Sequence, residues 1–343
     1  MRTGQLAIPL LILVALAAVR PAHAQAPTNP NTAPRPVKPS MRPAPAPAPA
    51  PPVASKPGGP EPDLAFGAFQ RGYYLTAFLE ATKRVNAKND PKSMTLLGEL
   101  YANGLGVPNN DAEAAKWYGL AAERGDREAM FALAMFKIGG RGGPRDPAEA
   151  TRLLTAAAKL GHPAAGYDLG LLYLDGQQVP QDAKHAAELF QMAAQVGNPE
   201  AQYALATLYK DGRGVPQDAR EAARLMGLAA QAGVIAAEVE YGIALFNGSG
   251  ITKDEARAAA LFRKAAMQGN PIAQNRLARI LAVGASAMAP DPVQAVKWHL
   301  IAKAGGAGDS FLDDFMQKQT AETRAAGEKA AKPWLDYIAQ TRS

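Results

Sequence analysis

The 343-residue sequence contains no cysteine, and this absence excludes several kinds of chemistry. Without thiols the chain can form no disulfide, no cysteine nucleophile and no thiolate metal site. Histidine is scarce as well, with four residues in the whole chain, and no two of them have the spacing of a metal-binding pair. The sequence has no G-x-S-x-G, S-x-x-K or H-E-x-x-H motif. We therefore predict no catalytic residues, no cofactor and no metal site, and a fold stabilised by packing alone.

The net charge of +6 is not concentrated in the part of the chain that can fold. Residues 1–24 carry +2 and residues 25–62 carry +3, which leaves +1 for residues 63–343. A pI near 9.4 would suggest a nucleic-acid or anionic-membrane partner. Because the long C-terminal part is nearly neutral, we predict that it binds no nucleic acid and recognises its partner by shape and apolar contact.

The first 24 residues have the pattern of a secretory signal peptide. Arg2 precedes an apolar run from Leu6 to Val19, and an A-x-A cleavage site ends at Ala24. The run is too short to cross a bilayer core of about 30 Å comfortably. We predict cleavage after Ala24 and a periplasmic or secreted protein without stable membrane insertion. The alternative is a short uncleaved anchor.

Proline is distributed unevenly, and 14 of the 28 prolines lie in residues 25–62. The alternation of Ala and Pro in this segment favours polyproline II and cannot bury a core. As a semi-rigid spacer the segment could reach roughly 3 Å per residue, on the order of 100 Å in all. We predict a disordered, solvated tether. The alternatives are a ligand for a proline-recognising module and an arm whose basic residues make weak contact with the cell wall.

The remaining sequence is a tandem repeat with a period of 36 residues, and three ladders of residues mark it. The first glycine ladder comprises Gly104, Gly140, Gly176, Gly212, Gly248 and Gly284. The second comprises Gly125, Gly161, Gly197, Gly233, Gly269 and Gly306. A polar ladder between them comprises Asn110, Asp146, Asp182, Asp218, Asp254 and Asp291, with one extra residue before the last.

Each unit has the pattern of two amphipathic helices that stop at glycine. The polar ladder predicts the N-caps of the second helices, because Glu or Gln follows three residues later in four units, as in a capping box. The first helices have apolar residues at their first, fifth and eighth positions. Their predicted first residues are Ser93, Ala129, Ala165, Ala201, Ala237 and Ala273.

Neither helix of a unit can bury its apolar face alone, so neighbouring units must stack. The predicted fold is therefore all-α, a right-handed α-solenoid of stacked helix–loop–helix repeats over residues 93–309. Residues 63–92 are predicted to form a divergent tetratricopeptide-like first unit. Residues 310–343 are predicted to form C-terminal capping helices, with Trp334 packing this cap onto the solenoid.

The repeat consensus reads A-x-x-x-L-[GA]-x-x-Y-x-x-G-x-G-V-P-x-D-x-x-x-A-A-x-x-[WL]-x-x-x-A-A-x-x-G. The fourth unit, AQYALATLYKDGRGVPQDAREAARLMGLAAQAG, follows it nearly throughout. This pattern resembles the Sel-one-like repeat family, a branch of the tetratricopeptide superfamily. The second unit, with GGRGGPRD and Lys137 in place of the tyrosine, and the sixth, with GASAMAPD, depart from it, so we expect looser loops there.

The resemblance implies a protein-interaction scaffold. The family includes exported bacterial proteins, among them periplasmic regulators of sensor kinases and host-interaction factors. A cysteine-rich subgroup has been linked to β-lactam binding, and this link does not extend to a chain without cysteine.

A second face of the first helices is a candidate partner-binding groove. In solenoids of this type the first helices line the concave side, and their third, seventh and tenth positions are apolar in the central units. The alternative is that these side chains pack between units. The candidate residues are Phe131, Met135, Ile138, Tyr167, Leu171, Leu174, Tyr203, Thr207, Val239, Ile243 and Phe246.

Together these patterns predict an exported repeat scaffold that binds a protein or peptide through its concave surface and has no catalysis of its own. One alternative is a periplasmic regulator of a sensor kinase or an envelope stress pathway. The other, from a different class, is an enzyme acting on cell-wall material or β-lactams.

Overall fold

The computed structural model describes residues 63–285 and 288–342, and this part of the chain is built from helices. The predicted signal peptide and Pro-rich linker lie outside the described residues. In chain order the helices are α1 Leu64–Gln70, α2 Tyr74–Lys88, α3 Pro91–Asn103, α4 Asp111–Glu123, α5 Arg127–Gly139, α6 Pro147–Lys159, α7 Pro163–Asp175, α8 Ala183–Gln195, α9 Pro199–Asp211, α10 Ala219–Gln231, α11 Ile235–Asn247, α12 Glu255–Met267, α13 Pro271–Val283, α14 Pro292–Ala304, α15 Ser310–Gln317 and α16 Ala321–Arg342.

Helices α3 to α14 form six hairpins. Each of α3 to α13 packs mainly against the helices before and after it in the chain, and α14 packs against α13 and α16. Every one of these twelve helices has 13 residues, which is between three and four turns. In each hairpin we call the odd-numbered helix the first helix and the even-numbered helix the second. The predicted all-α solenoid of repeated hairpins is confirmed.

The second helices begin where the polar ladder predicts. Each ladder residue, from Asn110 in α4 to Asp291 in α14, accepts a hydrogen bond from a backbone N–H in the first turn of its helix. Each such cap contributes about 1 kcal/mol to helix stability. The capping residues also hold the end of the preceding loop, since the backbone N–H of Asp218 donates to the Tyr209 carbonyl.

The first helices begin two residues earlier than predicted. The residue before each first helix is its N-cap, and in the second to sixth units this residue directly follows a glycine of the second ladder. In five of the six units its side chain accepts a hydrogen bond from the backbone N–H three residues later. These caps are Asp90, Asp126, His162, Asn198 and Asn270. Proline at the first helical position, as in α7 and α9, fits here because its missing N–H has no partner in that turn.

The two helices of a hairpin meet at their eighth residues, and the sizes of these two residues compensate for each other. Where the second helix presents Tyr or Phe, the first helix has glycine: a Cβ on Gly170 would lie 2.5 Å from a ring carbon of Phe190. Where the second helix presents Leu, Met or His, the first helix has alanine. In chain order the pairs are Gly98/Tyr118, Ala134/Leu154, Gly170/Phe190, Ala206/Met226, Gly242/Phe262 and Ala278/His299.

Glycine in the loop inside a hairpin allows this loop to approach the preceding hairpin closely. Gly214 and Gly250 have φ values of 75° and 71°, and each lies against the first turn of the second helix of the preceding unit. A Cβ on Gly250 would overlap the carbonyl oxygen of Ala219. In the third unit Gln178 occupies this position, and its backbone φ is not positive. The third loop therefore lacks the glycine contact made in the first, second, fourth and fifth loops by Gly106, Gly142, Gly214 and Gly250.

The two ends of the solenoid are closed by non-repeated helices. The hairpin of α1 and α2, with a tight turn at Arg71-Gly72, packs before α3. At the other end α16 packs along α14, and the rings of Trp298 and Trp334 meet edge to face at 5.6 Å. This is the contact expected of Trp334. None of the described helices is long and apolar enough to cross a membrane.

Candidate interaction surface

The structure places the eleven candidate groove residues at three positions of the first helices. Counted from the true start of each first helix, they are its fifth, ninth and twelfth residues. Most are half-buried and border the core clusters of their own or adjacent hairpins. Val239 differs from the rest, because only 3% of its surface is exposed. It is part of the core and offers no surface to a partner.

The fifth residues lie at the joints between successive first helices. The Thr95 hydroxyl donates to Asp126, the N-cap of the next first helix, at 3.0 Å. The Phe131 ring stacks on His162, which is the N-cap of α7, with ring centroids 4.5 Å apart. Contact between units therefore covers part of this row, as the alternative interpretation expected.

The ninth residues belong to a stripe along the first helices that shares only these residues with the candidate groove. The second, sixth, ninth and thirteenth residues of a 13-residue helix share one face. In the first helices the outer members of this set are mostly exposed and the inner members mostly half-buried. We call these positions of α5, α7, α9 and α11 the open stripe. It comprises Glu128, Ala132, Met135, Gly139, Ala164, Asp168, Leu171, Asp175, Glu200, Ala204, Thr207, Asp211, Ala236, Glu240, Ile243 and Asn247.

The open stripe contains six acidic residues and no lysine or arginine. Two of the acids are paired with residues beside the stripe. Glu128 accepts from His162 at 2.9 Å and lies 3.2 Å from Arg127, while Lys210 donates to Glu240 at 3.0 Å. The stripe therefore combines acidic groups with the small or apolar side chains between them.

The other acids of the stripe form no ion pair with a basic side chain in the described part of the chain, although Asp211 attracts the neighbouring Lys210 electrostatically. Asp175 accepts from the neutral amide of Gln177 at 3.2 Å. Asp168, Glu200 and Asp211 form no hydrogen bond or ion pair through their side chains there. Burial, with a smaller contribution from the negative charge of Glu200, raises the pKa of Asp168 from 3.8 to about 6.

Beyond the stripe the charge changes sign. The last first helix, α13, has Arg276 and Arg279 at the equivalent sixth and ninth positions. Arg279 donates through two nitrogens to Asp309, the N-cap of α15, and this bidentate pair lowers the pKa of Asp309 to about 2. Asn275, Arg276 and Asp309 line an open depression of about 420 Å³. Arg279 therefore links α13 to the N-terminus of α15.

Two of the histidines have structural positions in the described part. His162 caps α7 through Nδ1, and burial lowers its pKa. His299 is 1% exposed, is the eighth residue of α14, and contacts Asp313 at 2.8 Å. Within the described ranges no group of histidine, cysteine or acidic residues is arranged to hold a metal ion.

The repeats match a known family model. Six consecutive segments of 36 residues fit the Sel1 repeat, at 91–126, 127–162, 163–198, 199–234, 235–270 and 271–306. The chain belongs to the Sel1 repeat family. Its segments coincide with the hairpins of the structure, each beginning at the first residue of a first helix. The resemblance recognised from the sequence is confirmed. None of the curated protein sequences matches the chain.

Two solved Sel1 repeat structures are similar to this one. The first is c5321, a protective antigen present in uropathogenic Escherichia coli strains, with 26% identity and a TM-score of 0.65. The match covers 81% of this chain and 61% of that one, so the chain spans less than two thirds of c5321. The second is a Sel1 repeat protein from Oxalobacter formigenes, with 27% identity, a TM-score of 0.61 and coverage of 71% and 97%. Sel1 repeat proteins generally mediate protein–protein interactions.

The acidic character of the stripe is the structural feature that the sequence patterns did not predict. The near-neutral total charge of residues 63–343 conceals it, because basic residues elsewhere in the sequence offset the acids of the stripe. Counting charge separately for each helix position would have found it, once the first helices were assigned their true N-caps.

Proposed function

We propose that this protein is an exported, periplasmic scaffold that recruits a protein partner through the open stripe and performs no catalysis of its own. The observation that carries the proposal is the stripe itself. Among the helices described over residues 63–285 and 288–342, none packs across this face of the four consecutive first helices. The partly exposed apolar residues Met135, Leu171 and Ile243 lie along its centre.

Export is supported by the signal-peptide pattern of residues 1–24, and it has a direct test. The mature protein isolated from the periplasmic fraction should begin at Gln25. Recovery of the intact N-terminus in the cytoplasmic fraction would contradict the export part of the proposal and would leave the recruitment part untouched.

Recruitment through the stripe can be tested in the native cell with a photo-crosslinking amino acid. The crosslinker is placed at Leu171 in one strain and at Glu188 in a control strain. Glu188 is exposed on the second helix of the same hairpin. We expect a discrete crosslinked species from position 171 and none from position 188. The same species from both positions, or none from either, would contradict recruitment through the stripe.

A further inference from the structure

The charge of the open stripe identifies the kind of partner that fits it. On two of the second helices, surface acids are neutralised by nearby arginines. Arg152 donates through two nitrogens to Glu149 on α6, and Arg224 does the same to Glu221 on α10. No such pairing is made by Asp168, Glu200 or Asp211 in the described part of the chain. The positive charges that would complement these acids are missing from this face.

The position of Asp168 makes the missing charge more consequential. Its carboxylate is half-buried on a face whose neighbouring stripe residues are Ala164 and Leu171. A carboxylate in such a place is poorly solvated, and the closest acid that acts on it electrostatically is Glu200 on the next first helix. Asp168 and Glu200, on adjacent units, thus lie on a stripe that contains no lysine or arginine. A cation from a partner would be attracted to both carboxylates.

We propose that the open stripe binds a basic segment of another protein, with lysine or arginine residues over Asp168, Glu200 and Asp211 and apolar residues against Met135, Leu171 and Ile243. The proposal rests on the proposed function and specifies its partner. The occupant is identified by charge complementarity: an acidic, partly apolar helix face fits a segment in which basic and apolar residues alternate. Such binding is driven in part by electrostatic attraction, so salt weakens it.

The test uses the mature full-length protein and two labelled peptides of 16 residues. The first has lysine at every fourth position with leucine and alanine between, and the second has glutamate in place of each lysine. Binding is measured by fluorescence anisotropy at about 50 mM and about 300 mM salt. We expect the lysine peptide to bind at least about tenfold more tightly than the glutamate peptide, and to lose most of this advantage at the higher salt concentration.

Two triple variants locate the binding. The stripe variant carries Asp168→Asn, Glu200→Gln and Asp211→Asn. The control variant removes the same amount of charge from exposed acids of other helices. It carries Glu123→Gln, Glu322→Gln and Glu328→Gln. We expect the stripe variant to bind the lysine peptide at least about tenfold more weakly, and the control variant to bind it as the wild type does.

The outcomes separate this inference from the function on which it rests. Equal losses in the two variants, or no preference for the lysine peptide, would overturn the basic-partner inference. If, in addition, the crosslink from position 171 persisted in cells carrying the stripe variant, recruitment through the stripe would stand while its proposed charge selectivity would not. Circular dichroism of both variants verifies that they remain folded.

Discussion

The compensation between eighth residues leads to a prediction that can be worked through quantitatively. Replacing Gly170 with alanine would normally stabilise a helix interior by about 1 kcal/mol. Here the new Cβ would lie 2.5 Å from a ring carbon of Phe190. Overpacking of this kind costs about 1–3 kcal/mol. We therefore expect Gly170→Ala to lower the free energy of unfolding by up to about 2 kcal/mol.

The neighbouring unit supplies the rescuing substitution. Ala134 faces Leu154 there, so the double variant Gly170→Ala with Phe190→Leu reproduces a pair that the chain already uses. Phe190→Leu alone should cost about 1–2 kcal/mol through the cavity it leaves. In the double variant the methyl group of the alanine occupies part of this cavity. We expect its loss to be smaller than the sum of the single losses by about 1–3 kcal/mol.

Urea denaturation followed by far-ultraviolet circular dichroism measures these differences. The control is Gly119→Ala on α4, where no heavy atom outside its own helix turn lies within 4 Å of the new Cβ. It should stabilise the protein by up to about 1 kcal/mol. If Gly170→Ala also stabilises the protein, or if the two substitutions are additive, the packing argument is wrong. Transitions that no longer coincide between probes would indicate separate unfolding of repeats and require unit-by-unit analysis.

Two further substitutions test the joints and the stripe. Gly250→Ala should destabilise the protein by at least about 1 kcal/mol more than Gly233→Ala, since both residues have positive φ but only the former would overlap the backbone of the preceding unit. Equal losses in thermal denaturation would show that glycine is needed there for its backbone conformation alone. Asp168→Asn should raise the melting temperature above pH 6, because a carboxyl pKa raised from 3.8 to about 6 costs up to about 3 kcal/mol once the group is ionised. The gain should shrink as the pH falls from 6 towards 4, and an unchanged melting temperature at neutral pH would show that Asp168 is adequately solvated.

The sequence was sufficient to predict the hairpins because their signals repeat in phase. The six glycines at a spacing of 36 residues and the six capping residues fit only one alignment of the repeats. The structure has this alignment. The start of the first helices was harder to predict. Histidine, as at His162, is an uncommon N-cap, and the side chain of Val234 forms no capping hydrogen bond. The apolar pattern also begins two residues after the N-terminus of each first helix. Local capping chemistry, rather than hydrophobic periodicity, decides those boundaries.

The candidate groove and the open stripe differ because the groove is defined by apolar residues. A stripe defined by the apolar residues of the first helices is drawn toward the joints, where Phe131 stacks on His162 and Val239 is buried. The solvent-facing stripe is rotated away from this row and keeps only the ninth residues in common with it. Apolar periodicity identifies the face that packs, so it is a poor guide to the face that binds. In a nearly neutral repeat domain, unneutralised charge at one helix position is the better indicator, and here it favours a basic partner over one recognised by shape alone.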